Sequence, residues 1–131
     1  MPPVLEFRVA LTVSQYDRLV EFYCQGLGIE PTELWETEDA RARLLELGRG
    51  TLEIFDHNHA ALVDEIEAGQ RLSGQIRFAF EVPDVDAAVE RLLRHGATLV
   101  HDPIVTPWNH RNARLQAPDG MQITIYQVLE A

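Results

Sequence analysis

The strongest constraint on the fold is an internal repeat. The alternating strand pattern FRVALTV at 7–13 returns 69 residues later as IRFAFEV at 76–82. Arg8 occupies the same place in the first copy as Arg77 in the second. Strand side chains alternate between two faces, so each arginine opens a face that lies opposite an aliphatic one. The fold must therefore place two equivalent arginines on two equivalent strands.

Each copy continues with the same series of elements. A helical periodicity follows the first strand of both copies, and three strand patterns follow each helix. In the first half the patterns cover a strand at 5–13, a helix at 14–28 and strands at 32–36, 42–48 and 51–57. In the second half they cover a strand at 76–82, a helix at 84–97 and strands at 98–104, 112–117 and 121–129. Both halves read β-α-β-β-β, which predicts an α+β protein with eight main strands.

The correspondence drifts by two residues within each half, as a loop insertion would produce. Near the ends of the halves the offset becomes 71, which aligns Arg43 with Arg114, Glu53 with Thr124, and Phe55 with Tyr126. We expect a single domain over 1–131, with one module at about 4–57, a second at about 76–129, and a polar, partly helical linker at 58–75. The Asp119-Gly120 pair predicts a tight turn before the last strand.

The two faces of the strands differ in chemistry. The aliphatic faces suit a sheet packed under helices, and we expect those helices to bury Leu19, Phe22, Tyr23, Val89, Leu92 and Leu93. The opposite faces carry Arg8, Glu53, Phe55, Arg77, Thr124 and Tyr126. These faces could simply look into water. Phe55 and Tyr126 argue against that interpretation, because a wet face seldom places aromatic residues at matching positions in both halves.

Composition excludes several classes of function. The net charge is −10 and every basic residue among the 11 is Arg, so the chain lacks the basic excess that nucleic-acid binding requires. No apolar run approaches the roughly 20 residues of a membrane span. The single cysteine, Cys24, suits a reducing compartment and a packed thiol. We therefore expect a cytoplasmic protein with neither a nucleic-acid nor a membrane partner.

Several stretches together resemble the vicinal oxygen chelate superfamily, which includes glyoxalase I, bleomycin-resistance proteins and extradiol dioxygenases. The matching stretches are RVALTVSQYDRLVEFYCQGLGIEP for the first strand and helix, FEVPDVDAAVERLLRHGA for the opening of the second module, and TPWNHRNARLQAPDGMQITIYQ for the closing hairpin. The resemblance covers almost the whole chain. It implies a curved, eight-stranded mixed sheet around a cup, with the helices on its convex side.

The resemblance also implies where a metal would sit. Metal-dependent members place a ligand, usually His or Glu, on the first and last strand of each module. Those positions carry over to Arg8, Glu53, Arg77 and Thr124. Only Glu53 is a usual ligand, since a guanidinium has no free lone pair and a threonine hydroxyl is a weak ligand. We expect no metal or other cofactor, and an ionised Glu53 paired with at least one arginine, all four residues meeting in one cup.

The roles of a few further residues remain open. Trp108 and His110 lie in a segment that often borders the ligand cup in similar proteins, where they would suit a polar-aromatic ligand, although a loop anchored by a buried Trp108 explains them nearly as well. His57 and His59 form an H-x-H pair that fits solvated loop histidines better than a metal site. His101 could face either side of its strand.

Two functions follow from the resemblance. The first is a metal-independent small-molecule binding protein of the bleomycin-resistance type, which sequesters a drug or metabolite. The ligand-binding residues would be Arg8, Glu53, Phe55, Arg77, Trp108, His110, Thr124 and Tyr126. The alternative is a lyase, isomerase or dioxygenase that uses Glu53 as base or ligand. Proteins of this kind often form homodimers, and we expect one here.

Overall fold

The computed structural model describes residues 3–27, 29–48 and 50–130, with the backbone alone at 22–23 and 25–27. Within these residues the chain forms eight strands and three helices. In chain order they are β1 (Glu6–Thr12), α1 (Tyr16–Leu27), β2 (Glu33–Glu36), β3 (Arg41–Glu46), β4 (Thr51–Phe55), α2 (His57–Ala68), β5 (Ile76–Glu81), α3 (Val85–Arg94), β6 (Thr98–Val105), β7 (His110–Gln116) and β8 (Gln122–Val128). The predicted α+β class and the two βαβββ modules are confirmed.

All eight strands form one mixed sheet with the order β2-β3-β4-β1-β5-β8-β7-β6. The first strands of the two modules, β1 and β5, pair antiparallel at its centre. Each of them also pairs parallel with the last strand of its own module, β1 with β4 and β5 with β8. The halves are thus related by a pseudo-twofold axis between β1 and β5, and they pair within a single chain.

The strand register tests the repeat residue by residue. Glu53 lies beside Ala10, and Thr124 lies beside Ala79, so the predicted equivalence of Glu53 and Thr124 is confirmed. The predicted equivalence of Arg43 and Arg114 is wrong by one residue. Glu53 pairs with Leu44 on β3, whereas Thr124 pairs with Arg114 on β7. Arg114 therefore takes the place of Leu44 and shares the sheet face of Thr124.

The two predicted helices lie on the aliphatic, convex face. Helix α1 packs Tyr16 and Cys24 against Val13, Leu45 and Ile54. Helix α3 packs Val85, Ala88 and Val89 against Ala113, Leu115 and Ile125. Its first turn is capped by Asp84, whose carboxylate accepts a hydrogen bond from the Ala87 amide. None of the helices within the described residues is long and apolar enough to cross a membrane.

The burial predicted for these helices is confirmed in part. Val89 is buried, and Leu19 and Leu92 are partly buried against the two convex cores. Leu93 is 41% exposed, because it lies on the outer side of α3, so its predicted burial is wrong. The side chains of Phe22 and Tyr23 lie outside the part that the structure describes.

The third helix, α2, lies on the opposite, concave face of the sheet. Ala60 and Val63 of this helix pack against Ala10, Ala42 and Phe55. Asp56 caps its start by accepting a hydrogen bond from the His59 amide at 2.7 Å. The segment predicted to be a polar, partly helical linker is thus a helix that covers the floor of the cup with its buried face.

Candidate functional site

A cavity of about 300 Å³ lies on the concave face, between the sheet and α2. All eight residues predicted to bind a ligand line it: Arg8, Glu53, Phe55, Arg77, Trp108, His110, Thr124 and Tyr126. They come from β1, β4, β5, β7, β8 and the loop before β7, so the fold brings together residues that lie far apart in the sequence. The expectation that Arg8, Glu53, Arg77 and Thr124 meet in one cup is confirmed.

Arg8 belongs to a polar cluster at one side of the cavity. Its Nε donates a hydrogen bond to Glu6 at 2.8 Å, and its Nη1 lies 4.0 Å from a carboxylate oxygen of Glu53. Glu6 also accepts hydrogen bonds from the hydroxyls of Thr51 and Tyr126. Burial alone would raise the pKa of Glu6, but these hydrogen bonds outweigh burial and lower it. Glu6 is therefore the carboxylate in direct hydrogen-bond contact with Arg8, and Glu53 is a second, more distant counter-ion.

Glu53 makes few polar contacts with the protein. Among the described residues it makes no hydrogen bond, and its only ion pair is the 4.0 Å approach of Arg8. Its pKa is raised because burial disfavours the carboxylate, although Arg77 and Arg8 both oppose that effect. Glu53 is thus paired with one arginine as expected, but the expected net stabilisation of its charged form by the arginines is wrong in direction.

Arg77 lies deeper than Arg8 and is 5% exposed. Its Nη1 donates a hydrogen bond of 2.6 Å to the hydroxyl of Thr124, and its guanidinium carbon lies 5.8 Å from the centre of the Phe55 ring. Arg8 and Arg77 lie on paired strands, two register positions apart, and line the same cavity. The two arginines of the repeat thus flank Glu53 from neighbouring strands.

A buried ionic network joins α2 to the second module. Glu67 accepts hydrogen bonds from Arg114, from the Thr124 hydroxyl at 2.6 Å and from the Asn112 amide at 2.8 Å. Arg114 is fully buried and also pairs with Asp64 at 2.8 Å. Desolvation alone would raise the pKa of Asp64, but hydrogen bonds from Ser73 and the charge of Arg114 lower it well below its usual range. The network fixes α2 over the floor of the cup.

Aromatic side chains form the walls and the mouth of the cavity. Trp35 on β2 and Trp108 in the loop before β7 meet edge to face, with their ring centres 5.9 Å apart. They come from the two ends of the curved sheet, so their contact closes the cup. His110 stacks on Tyr126 with ring centres 5.1 Å apart and an interplanar angle of 15°. Such walls suit a planar, apolar ligand body.

His59 also faces the cavity, and the prediction of a solvated loop histidine is wrong for it. It lies in the first turn of α2 and is 7% exposed. Its ring meets the Phe55 ring edge to face, with the ring centres 4.6 Å apart. Burial lowers its pKa to about 4, so the ring is neutral at neutral pH. Its Nδ1 and the Oδ1 of Asn112 are buried without a hydrogen-bond partner among the described residues.

The cup residues do not fit the metal that some similar proteins use. Arg8 and Arg77 present no lone pair, and the Thr124 hydroxyl already accepts from Arg77 and donates to Glu67. Of the four positions that correspond to the metal ligands of similar proteins, only Glu53 has ordinary metal-ligand chemistry. Across the described ranges, no three His, Cys, Asp or Glu side chains cluster as a metal site.

Sequence reasoning missed five polar groups of the site: Glu6, His59, Glu67, Asn112 and Arg114. Asn112 and Arg114 alternate along β7 with buried Ala113 and Leu115, so strand periodicity alone could have placed them in the cup. His59, Val63 and Glu67 are spaced by four residues, which puts them on one face of a helix. The polar composition of 58–75 concealed that face.

Known proteins are similar to this chain over nearly its whole length. The model of the Glyoxalase/Bleomycin resistance protein/Dioxygenase superfamily matches residues 7–125. A search of curated proteins found no match. The solved structures with a similar fold include a methylmalonyl-CoA epimerase from Mycobacterium tuberculosis, which is 20% identical with a TM-score of 0.71, covering 97% of this chain and 90% of that chain.

Two further structures show the same likeness. A Streptomyces coelicolor methylmalonyl-CoA epimerase variant in complex with 2-nitronate-propionyl-CoA is 19% identical with a TM-score of 0.71, covering 99% of this chain and 100% of that chain. A hypothetical protein from Bacillus halodurans is 14% identical with a TM-score of 0.71, covering 95% and 94%. At these identities the likeness concerns the fold.

Proposed function

This chain belongs to the Glyoxalase/Bleomycin resistance protein/Dioxygenase superfamily, and we propose that it binds a small polar-aromatic molecule, a drug or metabolite, in its cup without a metal. One observation carries the proposal. Glu53, which makes no hydrogen bond among the described residues, and Arg77, which donates there only to Thr124, line an aromatic-walled cavity of about 300 Å³. His59 and Asn112 line the same cavity, and their Nδ1 and Oδ1 atoms are buried without a partner among the described residues. Buried polar groups need partners, and a ligand would supply them.

The charges of the cup limit which chemical groups the ligand can carry. Arg8 is neutralised by Glu6, and Arg114 by Glu67 and Asp64. Arg77 on β5 and Glu53 on β4 remain as a donor and a carboxyl, on the two strands that lie on either side of β1. A ligand that carries a hydrogen-bond acceptor for Arg77 and a polar group for Glu53 would satisfy both. Its planar body would lie against Trp108, which packs on the cup core, and against the His110–Tyr126 stack.

The two tryptophans give a direct test, because they are the only tryptophans of the chain and both line the cavity. We would screen antibiotics, aromatic acids and 2-oxoaldehyde adducts by thermal shift and by quenching of tryptophan fluorescence. A ligand of the cup should bind at least tenfold more weakly to Arg77→Met and to Glu53→Leu, as expected for the loss of a charged hydrogen-bond partner worth about 1.5–3 kcal/mol. Glu65→Gln, at an exposed site on α2, is the matched control. Equal affinity in all variants would exclude the cup as the binding site.

The alternative is an enzyme that uses Glu53, and the raised pKa of Glu53 favours it. A largely buried carboxyl that accepts no hydrogen bond among the described residues, and whose pKa is raised by burial, is suited to take up and release a proton. The reaction would be proton transfer next to a carbonyl group, as a lyase or isomerase performs. Methylmalonyl-CoA, which the similar structures name, is a first probe. Exchange of its α-hydrogen with deuterium from solvent, abolished in Glu53→Gln, would support the enzyme.

Metal analysis of the purified protein tests metal independence. Stoichiometric Zn, Ni, Mn or Fe that survives dialysis, together with loss of activity when a chelator is added, would contradict it.

We also propose a cytoplasmic homodimer. The buried single thiol of Cys24 suits a reducing compartment. Since both modules pair within one chain, the dimer would not need to exchange strands. The helix-side face of the two central strands offers a surface for it, because Phe7 and Ile76 there are 37% and 43% exposed.

A further inference from the structure

Arg77 is held by one hydrogen-bond relay that crosses from the sheet to α2. Its guanidinium donates to Thr124 at 2.6 Å, and the Thr124 hydroxyl donates to Glu67 at 2.6 Å. Arg114 donates to the same oxygen of Glu67 through Nη2 at 3.0 Å and through Nε at 3.2 Å. Every member is buried: Arg77 is 5% exposed, Thr124 1%, Glu67 2% and Arg114 0%.

The chemistry of the hydroxyl gives the relay a direction. A threonine hydroxyl has one hydrogen to donate and lone pairs to accept with, whereas a carboxylate can only accept. Because Glu67 takes the hydrogen of Thr124, the lone pairs of Thr124 must face Arg77. Glu67 thereby fixes the acceptor to which Arg77 is bound, although its own nearest contacts are with Arg114, Thr124 and Asn112.

A second carboxylate on the same helix provides a comparison. Asp64 is 1% exposed and pairs with Arg114 at 2.8 Å, as Glu67 does. Its remaining hydrogen bonds go to Arg71, Leu72 and Ser73, and none of them goes to Thr124. Asp64 and Glu67 thus share helix, burial and ion-pair partner, and they differ in their link to Arg77.

We infer that Glu67 is a positioning residue for the ligand-binding Arg77, and that it acts through the hydroxyl of Thr124. The inference deepens the proposed function, because Arg77 is the donor that the function assigns to the ligand. With its Nη1 tied to Thr124, Arg77 presents its remaining N–H groups in a fixed direction. A ligand then meets a guanidinium that is already oriented, which lowers the entropy lost on binding. Without the relay, the guanidinium would rotate.

Nuclear magnetic resonance of the arginine side chains tests this inference without a ligand. The protein would be labelled with ¹⁵N at its arginines, and the Arg77 signals assigned by their loss in Arg77→Lys. A guanidinium held by Thr124 rotates slowly about the Nε–Cζ bond and gives separate Nη signals. We expect separate signals in the native protein and in Thr124→Ser, which keeps the hydroxyl. We expect one averaged signal in Thr124→Val, which keeps the shape but lacks the hydroxyl, and in Glu67→Met, which has no oxygen to accept the Thr124 hydrogen.

Asp64→Asn, at the other carboxylate that pairs with Arg114, is the control and should keep the separate Arg77 signals. The inference is overturned if folded Thr124→Val or folded Glu67→Met keeps them, or if Asp64→Asn averages them. If Glu67→Met does not fold, the contrast of Thr124→Val with Thr124→Ser and Asp64→Asn decides in the same way. Because no ligand takes part, a ligand screen that finds nothing would contradict the proposed function and leave this result standing.

Discussion

At the scale of residues, the pKa values of two carboxyls near one arginine are shifted in opposite directions. Glu6 and Glu53 both lie within 4.0 Å of Arg8. Glu6 accepts three hydrogen bonds and its pKa is lowered, whereas Glu53 accepts none among the described residues and its pKa is raised by burial. Hydrogen bonds and burial, rather than the shared cation, decide the direction of each shift. This separation supports assigning proton chemistry or ligand binding to Glu53.

The raised pKa of Glu53 makes a prediction for stability. A carboxyl that binds its proton more tightly when folded stabilises the fold fully below its unfolded pKa, near 4.5, and this contribution is lost as pH rises through the folded pKa. Glu53→Gln does not ionise, so we expect it to be more stable than the native protein at pH 7 and equally stable near pH 4. Urea unfolding at both pH values measures the difference. Glu65→Gln should show no such pH-dependent gain, and equal curves for the two variants would contradict the buried state of Glu53.

His59 gives a prediction for stability with the opposite dependence on pH. Its pKa is lowered to about 4 by burial, so the ring stays neutral in the fold while it would protonate near 6.5 in the unfolded chain. Stability is therefore full above pH 6.5 and falls as pH drops towards 4, by about 2 kcal/mol between pH 7 and pH 5. His59→Leu should remove most of this slope, whereas His57→Leu, at an exposed site, should keep it. An unchanged slope in His59→Leu would show that His59 is solvated.

At the scale of elements, α2 is bound to the second module by charge. Asp64 and Glu67 face Arg114, which is fully buried, and the segment that follows α2 adds Ser73 and Arg71 to the Asp64 carboxylate. Apolar contacts of Ala60 and Val63 bind the same helix to the first module. The helix thus bridges both halves of the sheet and sets the depth of the cup.

Removal of Arg114 should weaken this bridge strongly. Arg114→Met leaves buried Glu67 without its cation and Asp64 with Arg71 alone, and breaking a buried ion pair in this way costs about 3–5 kcal/mol. Urea unfolding would measure the loss. Addition of Asp64→Asn and Glu67→Gln to Arg114→Met should recover part of it, because the uncompensated charges are gone. Arg94→Met, which removes an exposed ion pair on α3, should change stability by less than about 1 kcal/mol. A similar small effect of Arg114→Met would contradict the bridge.

Much of this element arrangement could be predicted from sequence, because period-two and helical patterns are local properties. The alternation around Arg8, Glu53, Arg77 and Thr124 correctly assigned their sheet face. The role of α2 could not be predicted in the same way, since its polar groups face the interior only because Arg114 and Thr124 meet them there. The equivalence of Arg43 on β3 with Arg114 on β7 was also predicted wrongly, because a one-residue error in the loops reverses which face a residue occupies.

At the scale of the whole molecule, the expected dimer can be tested on its surface. The chain has a mass of 14.9 kDa, and we expect sedimentation of the native protein at micromolar concentration to give twice that mass. Phe7→Glu would place a charge among exposed apolar side chains of the central strands and should yield monomers. Leu93→Glu, at a site on α3 that is 41% exposed, is the control and should remain dimeric. A monomeric native protein would refute the dimer and leave the fold unaffected.

The single copy of α2 has a stereochemical consequence. A cup built from two equal modules would accept a ligand in two orientations related by the pseudo-twofold axis. Here the positions that hold Ala42 and Leu44 in the first module hold Asn112 and Arg114 in the second, and α2 contributes its carboxylates only to the second. The two halves of the cup are therefore chemically unequal. The cup should therefore hold an unsymmetrical ligand in one of the two orientations that a cup with equal halves would accept alike.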